Sequence, residues 1–492
     1  MLKRNNQIAA RILALRRINS SLQICNEISQ NRYKNVTLIS FARHKEGMEP
    51  DAILNRVLEG HAEGMRKLSG IGAKRYLFGE AWKIAKEREY FLGMTGLRGI
   101  GKTVLLLQLA KETGGIYFSA DDRNLSGAAV YDIIKALSDA GHKSIFIDEI
   151  HAKPGWDADL KTAYDEALAY VAFTGSSAIG IRTLKSDLSR RMVLERLRPA
   201  SFREWLSIRK GVEIPAQSMQ QILDRKASLA REHGHNAQFL AEYFSTGGTL
   251  YPAKAQFHKT VISSIETIAY KDFASVKSVE ADTAENFFRL LQLVASSMPM
   301  ELSYSSIGEV LGKNKVWVMR FLAGVERTEA IKRVYPCGEG KKPFRKEAKY
   351  YLPFPYRSAL CSMLGKEPNA GSLREEFFVN HAECCYVRTG SLPSADFKSQ
   401  GKVFEIGGAG KQGKWGCDYV VVDGLSTAGN KVPLSLFCLL YLRFWCIEWE
   451  KNSPCHCHPR SPAGFLRTAT ARFSLCALMR SGRKGWICHA WK

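Results

Sequence analysis

The 492-residue chain has no apolar run of eighteen or more residues, so nothing in it reads as a membrane span. Its longest greasy stretch, Val432–Ile447, is short and carries Arg443. Internal repeats and long low-complexity linkers are missing, which excludes a solenoid array or a tethered string of modules. Regularly spaced cysteines are missing from the centre of the chain, which excludes a disulfide scaffold and suits a reducing, cytoplasmic setting. The run Cys455-His456-Cys457-His458 alternates immediately, without the intervals that close a zinc tetrahedron. No metal is assigned there. Acidic residues are in deficit, with 48 Asp and Glu against 71 Lys and Arg for a net charge of +23.

That excess sits mostly at the two ends. Residues 1–47 and residues 442–492 each carry +7, leaving +9 for the 394 residues between them. A general nucleic-acid reading of the charge is weakened accordingly. The Arg-rich, acid-poor start fits an organellar transit peptide or a translation start placed too early, with Met48 as the true one; the second is favoured. The tail holds five of the twelve cysteines and four of the nine tryptophans. It lacks a helical or strand period, so it is expected not to be a domain and reads as a frame-shifted or read-through extension.

Between the ends, hydrophobic periodicity alternates. Two helical segments in 48–90 lead into an apolar strand ending at "YFLGMTG". Then follow the helix "TVLLLQLAKETG", the strand "GIYFSADD", the helix "GAAVYDIIKALSDAGH", the strand "KSIFIDEI", the helix "WDADLKTAYDEA" and the strand "LAYVAFTGSSA". Strands alternating with helices predict a three-layer α/β domain with a parallel sheet. Residues 200–275 read as helices, and 371–441 as mixed. The expected divisions are an α/β core over 48–205, a helical lid over 206–280, a helix-turn-helix unit over 281–360 and a small α+β domain over 361–441.

The chemistry gathers at the strand ends. "GLRGIGKTV" (Gly96–Val104) has the spacing of a phosphate-binding loop. Gly96, Gly99 and Gly101 allow a tight turn and close backbone approach to phosphates. Backbone N–H groups there and at the N-terminus of the next helix, where Val104 sits, would face anionic oxygens. Lys102 would meet the β and γ phosphates of a nucleoside triphosphate, and Thr103 would meet Mg²⁺. Asp148, ending an apolar strand, is the second expected Mg²⁺ partner, with Glu149 placed to polarise water. Thr174, Ser176 and Ser177 end a further strand. They are read as sensing the γ-phosphate or orienting water, against the plainer alternative of helix caps. Arg190 and Arg191 are candidate arginine fingers, for this chain's own site or a neighbour's in an oligomer; solvated arginines are the equal alternative.

"GLRGIGKTVLL", "YFSADD", "IFIDEIH", "FTGSSA" and "LSRRMVLERLRPASFREWL" together resemble a large family of bacterial and archaeal AAA-type ATP-binding proteins. The likeness runs over about residues 50–441, and the "SFREWL" block makes it specific. It implies a five-stranded core sheet, Mg-ATP as ligand, a winged helix, and a C-terminal domain similar in outline to restriction-endonuclease-like nucleases. "SYSSIGEVLGKNKVWVMRF" has helix-turn-helix spacing, with Lys313, Lys315 and Arg320 as candidate phosphate contacts and Trp317 as a packing or wedging residue. Docking onto a protein partner is the competing reading. In the last domain Glu376, Asp396 and Glu405 are the nuclease-like carboxylates. The lysine expected after Glu405 is replaced by Gly407, with Lys411 as a conceivable substitute from the loop. Binding or vestigial structure is therefore expected there. The leading reading is an ATPase acting as a switch or regulator; an ATP-gated nuclease and a winged-helix DNA-binding regulator are the alternatives.

Overall fold

A computed structural model of the chain describes residues 48–175, 188–252, 254–273, 282–298, 302–338, 347–387, 395–413 and 416–440. The basic start, the Cys/Trp-rich tail, Ser176 and Ser177 lie outside the described residues.

Five parallel strands form the first sheet: β1 (Phe91–Thr95), β2 (Ile116–Ser119), β3 (Ser144–Asp148), β4 (Tyr170–Gly175) and β5 (Met192–Arg196). They run in the order β2-β3-β4-β1-β5. β1, β3 and β4 are buried along their whole length. Strands covered on both faces read as near-continuous apolar runs, which is why these were legible. The helices Pro50–Leu68, Phe78–Glu87 and Lys102–Thr113 pack on the sheet. This order, with a glycine-rich loop leaving β1, is the P-loop nucleoside triphosphatase fold. β5 was not anticipated as a strand from its residues. "MVLER" ends in Glu195 and Arg196, and only its pairing with β1 fixes it.

The chain then turns helical. The helix Phe202–Lys210 opens with a capping box, in which Ser201 Oγ accepts from Glu204 N and the Glu204 carboxylate accepts from Ser201 N. It crosses the division expected at residue 205. Its Phe202 and Trp205 belong to a second core with Tyr243, Phe354 and Phe377, separate from the core under the first sheet. Helices Thr283–Ser296, Tyr304–Leu311 and Lys315–Arg327 precede an antiparallel pair, β6 (Lys332–Val334) and β7 (Lys349–Tyr351).

The last part is a mixed sheet of β8 (Cys385–Tyr386), β9 (Phe397–Ser399), β10 (Lys402–Gly407), β11 (Tyr419–Val422) and β12 (Lys431–Pro433). β10, β11 and β12 are parallel, while β8 and β9 run antiparallel to their neighbours. The central cysteines, read as lacking regular pairing, hold one pair here. A bridge between Pro336 and Tyr386 brings two distant segments together, and Cys337 and Cys385 form a disulfide across them.

Candidate nucleotide site

The loop between β1 and the helix Lys102–Thr113 is shaped by backbone that other residues resist. Gly101 caps the helix at φ 92°, and a Cβ at Gly96 would strike the Leu197 carbonyl oxygen. Parallel pairing then puts the ends of β1, β3 and β4 side by side, so three strand ends present polar groups to one place.

Thr103 Oγ1 donates to Asp148 Oδ2 at 2.7 Å. Thr174 Oγ1 donates to Asp148 Oδ1 and accepts from Glu149 N at 3.2 Å. Asp148, Thr103, Thr174 and Glu149 are thus brought together. Burial pushes the Asp148 carboxyl up, against the hydroxyl donors from Thr174 and Thr103 that favour its charged form. Hard oxygen donors from a hydroxyl and a carboxylate on one rim suit Mg²⁺, so Thr103 and Asp148 fit that ion. Glu149 has φ 50°, a left-handed conformation rare for its type. Such strain costs about 1 kcal/mol or more and concentrates at working sites. The Glu149 carboxylate stands 3.4 Å from His151 Nδ1.

Lys102 is buried, with its ammonium donating to Gly96 O at 2.9 Å and Leu97 O at 2.8 Å. Burial lowers its pKa, while Glu149 and Asp148 work in the opposite direction. In this conformation the ammonium closes the loop on itself. A phosphate would exchange those carbonyls for charged oxygens.

The two expected fingers are elsewhere. Arg191 precedes β5 at the end where Phe91 N donates to its carbonyl. That is the opposite end of β1 from the loop. Its guanidinium is held by Asp165 at 2.7 and 3.0 Å. Arg190 is its immediate neighbour and exposed. The structure does not bring either to this loop, because β5 carries them to its foot and puts Arg196 at its head.

Residues missed in the sequence brace the loop from outside. Arg75 Nη1 donates to Ile100 O, and its guanidinium pairs with Glu204 at 2.9 Å, both side chains being buried. Arg98 pairs with Asp272 at 2.9 Å. Leu250 N donates to Gly99 O at 2.7 Å, and the Tyr251 ring lies where a Cβ on Gly99 would point. Arg196, beside Thr95 in register, pairs at 2.7 Å with Glu329, which follows the helix Lys315–Arg327. Only Glu204 carried a local signal, the S-x-x-E capping box. The others are single charges whose partners lie far along the chain.

The C-terminal carboxylates divide. Glu376 is fully buried, pairs with Arg357 at 2.8 Å and accepts from Leu352 N at 2.9 Å. The structure encloses it between those two partners. Its neighbour Glu375 instead accepts from Tyr351 Oη at 2.7 Å. Asp396 accepts from Ile406 N at 2.7 Å, and burial pushes its carboxyl up to about 6. Glu405 pairs with Lys411 at 2.8 Å. The Lys411 stem lies where a side chain at Gly407 would begin, with Cγ 2.6 Å from that Cβ position. Among the described residues no group of three His, Cys, Asp or Glu is arranged to hold a metal ion.

Residues 88–206 match the family model of an AAA domain. The uncharacterized protein MJ1637 of Methanocaldococcus jannaschii is 29% identical over 309 residues, covering 57% of this chain and 64% of that protein. The chain thus spans less than two thirds of that relative's length. Among solved structures, the Walker-type ATPase PABY2304 of Pyrococcus abyssi superposes with a TM-score of 0.33 at 14% identity, over 59% of this chain and 95% of that one. The RuvB Holliday junction branch migration motor of Thermotoga maritima gives 0.24 at 14% identity, over 63% and 96%. Among the described residues no helix is long and apolar enough to cross a membrane.

Proposed function

We propose that this chain binds and hydrolyses Mg-ATP and uses the nucleotide state as a switch for its helical and C-terminal parts. The observation that carries the reading is the convergence of Thr103, Asp148, Thr174 and Glu149 beside the glycine-rich loop. Magnesium, when bound, would neutralise charge on the phosphates. Lys102 binds the phosphate oxygens, while Thr103 and Asp148 hold the ion's place. Thr174 fixes the Asp148 carboxylate and the Glu149 backbone. Glu149 then takes a proton from attacking water. The outer wall of the loop supports the switch reading, since Arg98, Gly99, Ile100 and the adjoining Arg196 are tied to Asp272, Leu250, Arg75 and Glu329. Any change in loop shape on binding phosphate reaches those partners directly. Arg190 and Arg191, at the far end of β5, would act as fingers only on a neighbouring copy.

The test is ATP binding and turnover by purified protein. Lys102→Ala should weaken ATP binding by about a hundredfold. Glu149→Gln should keep binding and lose turnover by about a hundredfold. Unchanged ATP affinity in Lys102→Ala would sink the proposal.

The three helices with β6 and β7 are read as a winged helix. Lys315 and Arg320 stand exposed on its third helix, beside apolar side chains that suit a protein partner. Lys313 is occupied by Asp282 at 2.6 Å, and Trp317 stacks on Phe321 at 4.5 Å. The exposed face offers Val316 and Met319. The nuclease alternative is not adopted, because Glu376 and Glu405 are each spent on a protein cation.

A further inference from the structure

A second cavity lies apart from the phosphate loop. It holds about 500 Å³ between the head of β5, the β6 strand and the end of the helix Ala370–His381. That volume falls within the usual range for small-ligand sites, about 300–1,000 Å³.

Its wall carries five cations, Arg196, Arg198, Arg327, Lys332 and Arg333, against three carboxylates, Glu326, Glu329 and Glu383. The carboxylates are unevenly shared. Glu329 is committed to Arg196 at 2.7 Å, and Glu326 to Arg333. Glu383 reaches Arg198 only at 3.9 Å and is largely exposed. No ion pair joins Lys332 to a carboxylate among the described residues; its ammonium donates to the Val379 carbonyl oxygen.

These cations are also close enough to oppose one another. Burial and then Arg196 lower the Arg198 pKa. Burial takes Lys332 down to about 8, and Arg198 and Arg196 act the same way, against Cys384 and the exposed Glu383. Enclosing like charges with only a partly exposed carboxylate beside them is costly unless an anion completes the set. Two under-compensated cations call for about two negative charges, which one phosphate monoester group carries near neutral pH. The rest of the wall includes Tyr243, Ile331, Val334 and Phe354, which suit an apolar or aromatic substituent.

We infer that this cavity binds a small phosphate monoester, its phosphate on Arg198 and Lys332 and its organic part against Tyr243 and Phe354. The site is wired to the nucleotide loop. The Arg198 carbonyl accepts from Arg75 Nη2 at 2.7 Å, and the same guanidinium donates to Ile100 O. Occupancy is therefore expected to alter nucleotide handling.

The test uses full-length protein carrying Lys102→Ala, so that anion binding at the phosphate loop is weakened. Phenyl phosphate and inorganic phosphate are titrated by calorimetry. Labelling of Lys332 by an amine reagent is followed by mass spectrometry with and without each. Phenyl phosphate should bind more tightly than inorganic phosphate and should protect Lys332. Adding Lys332→Met or Arg198→Gln should each weaken phenyl phosphate by about tenfold, in protein whose thermal unfolding shows it folded. Two substitutions guard against one of them failing to fold. Absence of binding and protection, or equal affinity with and without the cavity substitutions, would overturn the inference. Inorganic phosphate binding as tightly as phenyl phosphate would overturn the ester assignment.

Discussion

Thr174 is the side chain on which two others depend. Its hydroxyl is shared between the Asp148 carboxylate and the Glu149 backbone. Thr174→Val keeps the shape and removes both bonds. ATP hydrolysis at saturating Mg²⁺ should fall about tenfold or more, with KM changed less than about threefold, since the loss is felt where water is activated. A KM effect larger than the kcat effect would contradict that role. Glu204 shows what a buried charge contributes when it is fully partnered. Burial alone would raise its carboxyl, but Arg75 and the Tyr76 and Ser201 amides hold it below the ordinary value. A depressed carboxyl stabilises the fold above its unfolded pKa, and that contribution is lost as pH falls through the folded value. Glu204→Gln should therefore destabilise most near neutral pH, by about 3–5 kcal/mol as for a broken buried pair. The deficit should shrink on acidification below about pH 4, and denaturant unfolding across pH would read it.

At the scale of single elements, β5 shows where sequence reading stops. β1, β3 and β4 announce themselves because both faces are covered and nearly every residue is apolar. The phosphate loop is as plain, since its glycines and lysine are local requirements. β5 lies at the sheet edge with Glu195 buried in it, so its residues describe a charged segment until β1 is paired alongside. The braces around the loop were hidden for a related reason. Arg98 and Asp272 are 174 residues apart, and no local pattern marks such a pair. Glu195 also gives β5 a measurable signature. Burial, with Glu80 nearby, pushes its carboxyl up to about 7. Its unfolded form ionises first as pH rises, so stability drains between about pH 4.5 and 7. Glu195→Gln should raise the melting temperature by about 2–4 °C at pH 8, the effect of about 1 kcal/mol, and leave it nearly unchanged at pH 4. An equal rise at both would mean the charge is not the cause.

Across the whole molecule, the ion pairs Arg98–Asp272 and Arg196–Glu329 join the loop and the neighbouring strand end to parts lying beyond the first sheet. If they transmit the nucleotide state, ATP should change the protease sensitivity of the region after residue 250. Asp272→Asn or Glu329→Gln should reduce that response at least about threefold while ATP binding changes by less than about threefold. Persistence of the full response in both would break the connection. The helix Phe202–Lys210 raises a different matter. The AAA-domain match stops at residue 206, inside it. One side of that helix holds Glu204 against Arg75, while Phe202 packs on Phe377 of the C-terminal half and Phe202 and Trp205 both pack on Tyr243. A fragment cut at the border of sequence similarity would carry two bare aromatic rings and a loosened phosphate loop. Kinship and foldability draw their borders in different places here, and the phosphate loop is fully braced only when the helix keeps its C-terminal neighbours.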